Sequence, residues 1–348
     1  MSRLRQGFIL PTVLITMLLV ALLATSLEAV AWHATQHARL GLAGERALLG
    51  ADAAIARTLD SWDARAFASS AIGTRIVSSM PLTNGLDATV TLSRTAPDAA
   101  LVVATATSTQ NGTPLNAQRE IARALIIRPP PLPLTTPLTT LGPVAIANPA
   151  TVSDTDDIPP DWATECQGLT HIDAPMPPTN VTAARAQFDA NWQRWLAVAA
   201  HSDDGRTGTT VGPLVTGSTC APGAGEPFRG TGALATCTNE WGARAITGGA
   251  TVTLAGTNRH QGVLLVDGDL VVTGTLDVRG LLIVRGALDA SVGTVTVFGA
   301  VLVRDELGHG SRLGFASRVR YSRCALRRAV SAVGAPAAIT TRGWLERF

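Results

Sequence analysis

"GVLLVDGDLVVTGTLDVR" (262–279), "GLLIVRGALDASVGTVTVF" (280–298) and "GAVLVRDELGHGSRLGFASRVRY" (299–321) align when stacked. Each opens with Gly and a run of four apolar residues, followed by a turn and a further Leu. The opening glycines recur after 18 and 19 residues. Self-similarity at that period marks a β-solenoid, because one turn cannot bury its apolar face alone and must stack on the next. The alignment puts Val266, Val284 and Val303 in one slot of successive turns, so they are expected to form one inward ladder about 4.8 Å apart. "ATVTLAGTNRHQ" (250–261) reads as a weaker preceding turn. "VAIANPATV" (144–152) reads as another at the N-terminal edge, with the residues between inserted. The run 280–303 is apolar, but Arg285 and Asp289 inside it, together with the repeat, argue against a membrane span.

Outward from the repeat, 144–249 is irregular and rich in Pro, Gly and Thr, with one helix expected at about 181–200. Phe188, Trp192, Trp195 and Leu196 fall on one face of that helix, which predicts core packing rather than a ligand platform. The solenoid is expected over 250–330, with a tail at 331–348 that returns to an earlier sheet as an edge strand. A Pro-rich stretch, 129–143, marks a domain boundary. Ahead of it, three runs alternate apolar and polar residues (88–93, 101–107, 119–127), separated by "APDA" and "QNGTP". That pattern predicts a three-stranded antiparallel meander with one apolar face. The helical pattern over 47–62 is its natural cover, so the fold class is α+β with a mainly-β solenoid appended.

Residues 8–27 carry no charge, and Arg3 and Arg5 precede them. Twenty residues make a helix of about 30 Å, the thickness of a bilayer's hydrocarbon core. The run is too long for an ordinary signal peptide, and the helical pattern continues past it to Trp62. A single helix over 8–62 would be about 80 Å long, half in the membrane and half out. Its apolar stripe is read as Leu27, Ala31, Ala34, Ala38, Gly41, Glu45, Leu48, Asp52, Ile55, Leu59 and Trp62, spoiled by Glu45 and Asp52. The small residues Ala31, Ala34 and Ala38 permit close helix packing. The basic leader, 1–7, predicts an N-terminus in the cytoplasm and the bulk of the chain on the far side of the membrane, expected to be a bacterium's inner membrane.

The junction "RLRQGFILPTVLI" resembles a type IV prepilin signal. The helix-plus-meander order over residues up to 128 resembles minor pilins and pseudopilins of the PilX type, and the solenoid is bactofilin-like. The resemblance implies that a prepilin peptidase cuts between Gly7 and Phe8, that Phe8 is then methylated, and that the apolar helix is kept in a filament. The residue that family usually carries as Glu, fifth after the cut, is Thr12 here. The implied function is structural: assembly into a type IV pilus or related filament, with membrane lipid and other pilin or pseudopilin subunits as partners. A membrane-anchored extracytoplasmic solenoid scaffold or adhesin remains open beside it. So does an anchored carbohydrate-active β-helix enzyme.

The remaining composition offers little chemistry. All 28 basic residues are Arg, the net charge is +2, and acids and bases are scattered, which leaves no nucleic-acid footprint. Cys166, Cys220, Cys237 and Cys324 lie beyond the membrane segment without Cys-x-x-Cys or zinc-ligand spacing. An even number of dispersed cysteines in an oxidising space predicts two disulfides with three possible connectivities. Cys220–Cys237 with Cys166–Cys324 is preferred, since the first closes a short Gly-rich loop and the second ties the insertion to the solenoid's end. Asp267-Gly268-Asp269 reads as a turn rather than a carboxylate pair. His33 and His37 share a helix face, and His260 and His309 are expected to be plainly exposed. No catalytic residue, metal site or cofactor is expected.

Overall fold

The computed structural model of the chain describes residues 9–83, 85–110, 113–131, 134, 136–159, 180–199, 201–203, 215–216, 219–220, 241–248, 250–314, 316–338 and 344–347. In chain order, α1 (Ile9–Asp60) and α2 (Ala64–Ser69) precede β1 (Arg75–Leu82), β2 (Leu86–Ala96), β3 (Ala99–Gln110) and β4 (Thr113–Arg128). Then come β5 (Leu138–Thr140), β6 (Val144–Ile146), β7 (Thr151–Ser153), α3 (Val181–Val198), β8 (His201–Asp203), β9 (Val215–Thr216) and β10 (Thr219–Cys220). The solenoid strands follow: β11 (Gly242–Ile246), β12 (Thr251–Leu254), β13 (Thr257–Val266), β14 (Asp269–Val272), β15 (Thr275–Val284), β16 (Leu288–Ala290), β17 (Thr294–Val303), β18 (Ser311–Leu313) and β19 (Arg318–Tyr321). The C-terminal elements are α4 (Arg323–Ser331), β20 (Ala335–Ala338) and β21 (Trp344–Arg347).

The fold is α+β, as the sequence predicts: a long helix on an antiparallel meander, and a solenoid of about four turns. The meander has one strand more than expected, since β1 precedes the three alternating runs. Its pattern escapes detection because nearly all of β1 is exposed and its sequence does not alternate. Both tail strands pair antiparallel with β4, β20 along Leu125–Arg128 and β21 along Glu120–Arg123. The solenoid is therefore an insertion between two neighbouring strands of one sheet, joined to it at both ends.

Each solenoid turn has three sides. The long strands β13, β15 and β17 bend at Gly262, Gly280 and Gly299, which stand in register and have φ of +117°, +133° and +141°. A Cβ on Gly262, Gly280 or Gly299 would lie 2.0, 2.1 or 1.8 Å from the carbonyl oxygen of the glycine one turn below. Only glycine meets both demands, which is why every repeat opens with it. After the bend come the four apolar residues. Leu264 and Val266 point into the lumen with Leu282, Val284, Val301 and Val303. Val263 and Leu265 point outward with Leu281, Ile283, Ala300 and Leu302, under α3 and α4. A side buried on both faces reads as a continuous apolar run, while the other two sides alternate. Val266, Val284 and Val303 are register partners and fully buried, so the expected ladder is present.

The segment 138–153 is a turn of the solenoid, but not at the N-terminal edge. β5 pairs with β17, β6 with β18 and β7 with β19, all parallel, at the far end of the stack. β19 supplies only the first side of that last turn before the chain leaves as α4, so β5 and β6 complete it. The chain must then return to the first turn, where β8 pairs with β11. α3 carries it there. Its 18 residues span about 27 Å, and the five strand spacings from β5 to β8 amount to about 24 Å. Asn180 caps α3 by accepting a 2.8 Å hydrogen bond from Ala183 N. Arg304 holds its flank through paired 3.0 Å bonds to Asp189. Val144, Ile146 and Val152, in lumen slots of the last turns, stand exposed.

Candidate functional site

α1 has two parts that differ in burial. Over residues 11–42 every side chain is exposed except the half-buried Gln36. It is one helix, among the described residues, long and apolar enough to cross a membrane by length and composition, and its most apolar window is wholly unburied. Water does not tolerate so continuous an apolar surface, which implies a lipid or protein environment. His33 and His37 lie on this exposed stretch.

From Ala43 onward the helix is docked. Ala43, Ala47, Ala51, Ala54 and Ile55 are buried, the last three against Val90, Val102, Ala104, Ala106, Ile121 and Leu125 of the sheet. Leu48, Ile55, Leu59 and Trp62 of the expected stripe pack on the sheet, but the most buried line runs through Ala43, Ala47 and Ala51, while Glu45 is exposed and Asp52 lies beside the seam, bonded to Arg123 of β4. The seam uses the smallest residues because they bring the helix axis closest to the sheet. At Gly50 a Cβ would stand 3.2 Å from Leu86 Cδ1, and at Gly44 it would meet Arg119 Nη2 at 2.9 Å.

α4 joins the two modules. On one flank its Arg327 is paired with Asp98 in the β2–β3 turn, both only 15 % exposed. On the other, Ala325 and Ala329 pack on the solenoid's double-buried side, and Arg328 lies 5.8 Å over the Trp241 ring. Beside this contact Arg94 is buried in the sheet module. Its Nη1 donates to the carbonyls of Phe67 (3.0 Å), Ala68 (2.7 Å) and Ser70, closing the C-terminal end of α2, and its Nη2 to Pro97 O (3.0 Å). Burial, with Arg328 nearby, brings its pKa down to about 10. Sequence reasoning missed Arg94, Asp98 and Arg327. An Arg beside a tight turn is ordinary in sequence, and only the fold brings α4 to it.

The Asp267-Gly268-Asp269 corner is structural. Asp267 binds Arg285 one turn on (2.9 Å), and Arg285 also binds Glu306 (2.9 Å). Asp269 accepts from Ala287 N (2.7 Å) and from His309 Nδ1 (2.9 Å). His309 is thus on the surface but tied down. His260 overturns its expected exposure: it is fully buried, in register with the lumen residues Val278 and Val297. Burial, and secondarily the nearby Arg244, lower its pKa to about 3, so it is neutral. Arg244 is also buried, its pKa lowered to about 10 by desolvation. Among the described residues no group of three or more His, Cys, Asp or Glu could hold a metal ion.

Gly7 and Phe8 lie outside the described residues, as do Cys166 and Cys237. Cys220 belongs to the short β9–β10 pair. Cys324, buried in the first turn of α4, is disulfide-bonded.

No protein-family profile matches the chain, and no curated protein matches it. Among solved structures, the competence-associated pilin ComZ from Thermus thermophilus aligns at 13 % identity over 88 % of this chain and 96 % of that one. Its TM-score is 0.23, at which the likeness carries no argument.

Proposed function

We propose that the chain is a membrane-anchored structural subunit of pilin type, a minor pilin or pseudopilin, and not an enzyme. One observation carries this reading: α1 is a single 52-residue helix whose first half is bare and apolar and whose second half is docked on an antiparallel sheet. A helix so divided holds a folded module at the membrane and offers an apolar rod to neighbouring subunits. The prepilin-like junction adds the processing step, a cut between Gly7 and Phe8 by a prepilin peptidase with methylation of Phe8. The partners are membrane lipid and other pilin or pseudopilin subunits, and the bulk of the chain lies outside the inner membrane. The PilX-type likeness of the helix-and-meander module and the bactofilin-like solenoid belong to this proposal.

The mature N-terminus, measured by mass spectrometry on protein from a host with the peptidase, tests it. A methylated Phe8 supports the reading. Retention of residues 1–7 favours the second reading, an anchored scaffold or adhesin. The exposed lumen residues Val144, Ile146 and Val152 at the solenoid's far end favour that alternative, because they offer a docking end independent of any filament.

A further inference from the structure

The sheet of the anchor module has two open edges that fit each other. β1 pairs with β2 on one side, and among the described residues no strand pairs with its other side. It is exposed along most of its length, Val77 to 63 % and Ile76 to 45 %. It carries one charge, Arg75 at its start, where edge strands are commonly blunted by several. At the opposite edge the tail covers β4 only along Glu120–Arg128, so 113–119, which is regular over 117–119 and irregular between Ala117 and Pro114, has no strand partner on that side among the described residues.

We propose that β1 of one copy pairs antiparallel with residues 113–119 of β4 in a second copy, continuing the meander from subunit to subunit. This rests on the filament reading above. β1 and β4 run in opposite directions within one sheet, so copies with parallel α1 helices present these edges antiparallel to each other. The symmetric alternative, β1 against β1, would reverse one α1 relative to the other, which a common membrane forbids. Side-chain alternation restricts the register, because Val77 shares the face of Ala122 and hence of Gln118. Val77 opposite Gln118 sets Ile76 opposite Arg119 and Ser78 opposite Ala117; beyond Ala117 the ladder is offset, because β4 carries two more residues than β3 between Ala117 and Pro114. Within one subunit Val77 is level with Ala122 through Thr91 and Val103. The proposed register sets it against Gln118, four residues further along a regular stretch of β4, a step of about 14 Å along the strands. Copies at one height in a flat bilayer cannot take that step, and copies climbing a helical assembly can.

The test uses two differently tagged full-length chains, one Val77→Cys and one Gln118→Cys, co-expressed and oxidised, with sedimentable assemblies separated from dispersed membrane. Mixed-tag cross-links at least tenfold above single-substitution controls, confined to the assemblies, are expected. Ile76→Cys with Gln118→Cys, one residue out of register, should fall to background. Incorporation without mixed cross-links overturns the proposal. So do cross-links between two Val77→Cys chains, or equal yields from Ile76→Cys and Val77→Cys. Absence of both chains from any assembly overturns it together with the filament reading, and sedimentation alone distinguishes that result.

Discussion

A Cβ placed on Gly280 would stand 2.7 Å from the Cβ of Ala329, so the bend of the third solenoid turn is the seat of α4. The glycine lets the backbone turn with φ of +133° and also lets the helix approach. α4 is itself pinned to the sheet module through Arg327 and Asp98. One missing side chain therefore supports the solenoid's bend and the junction between modules.

Gly280→Ala should be severely destabilising. The new methyl would meet the Gly262 carbonyl oxygen at about 2.1 Å, and the conformation is one that L residues rarely adopt. A loss of more than about 2 kcal/mol is expected from strain and displacement together. Gly41→Ala, in α1 with nothing within 4 Å, should cost nothing by crowding. Thermal unfolding of the two variants side by side is the check, and equal melting temperatures would refute the seat.

Asp98→Asn should loosen the junction without unfolding either module. It removes the charge facing Arg327, which is only 15 % exposed and would keep its own charge with poorer solvation than in water. A cost of about 2 kcal/mol is expected, below that of a fully buried pair. In a double-mutant cycle with Arg327→Gln the two losses should not add. Additive losses would show that the pair does not couple.

The solenoid was legible because its grammar is periodic: Gly at each bend, one side buried twice, Val266, Val284 and Val303 in one slot. Burial of His260 was legible too, since the same alignment sets it level with Val278 and Val297, although an isolated His in what looks like a loop points to exposure. The α1 seam was legible in part: Leu48, Ile55, Leu59 and Trp62 pack as the stripe predicts, but the line through Ala43, Ala47 and Ala51 was not, because a helix rich in Ala and Leu offers several apolar faces and only the sheet selects one. The end of the stack taken by 138–153 was not legible, because strand pairing between distant segments leaves no local pattern. The junction at Gly7 was read from sequence and lies outside the described residues.

His260 should make stability fall in acid. Its folded pKa, about 3, lies below the ordinary 6.5 of an unfolded chain, so the unfolded state binds the proton first. The contribution is fully present above about pH 6.5 and is lost progressively as pH falls toward 3. The slope approaches about 1.4 kcal/mol per pH unit within that window. His260→Val, which matches the residues stacked after it, should flatten this part of the profile relative to the parent. Urea unfolding of both chains between pH 7 and pH 4 measures the difference, and parallel profiles would discount the histidine.

Cys324 should be found joined to Cys166. Arg323 N donates to Asp156 (2.9 Å), which brings the chain ten residues ahead of Cys166 against the first turn of α4. Non-reducing peptide mapping reads the pairing directly, and a Cys324–Cys220 or Cys324–Cys237 peptide would contradict it. Cys324→Ser should cost on the order of 2–4 kcal/mol, as loss of a loop-closing bridge does.

Trp195→Ala should separate the roles of α3. The helix is as long as the stack is tall, so it could serve as a strut set by its ends, through Leu141 and Arg185 at one and β8 at the other. It could instead act as the lid of the double-buried side. Trp195 and Phe188 are almost wholly buried among Ala243, Val263, Leu281 and Ala300, residues too small to close that side unaided. The covering role therefore predicts the larger effect. Truncating Trp195 should cost about 3–5 kcal/mol and open apolar surface along the solenoid, measurable as dye binding below the unfolding transition. Arg185→Gln, which weakens only the strut's end, should stay within about 1 kcal/mol for a half-exposed neutral replacement. If Arg185→Gln proves the more damaging, the strut dominates, and the outward residues Val263, Leu265, Leu281 and Ile283 owe their cover to α4 instead.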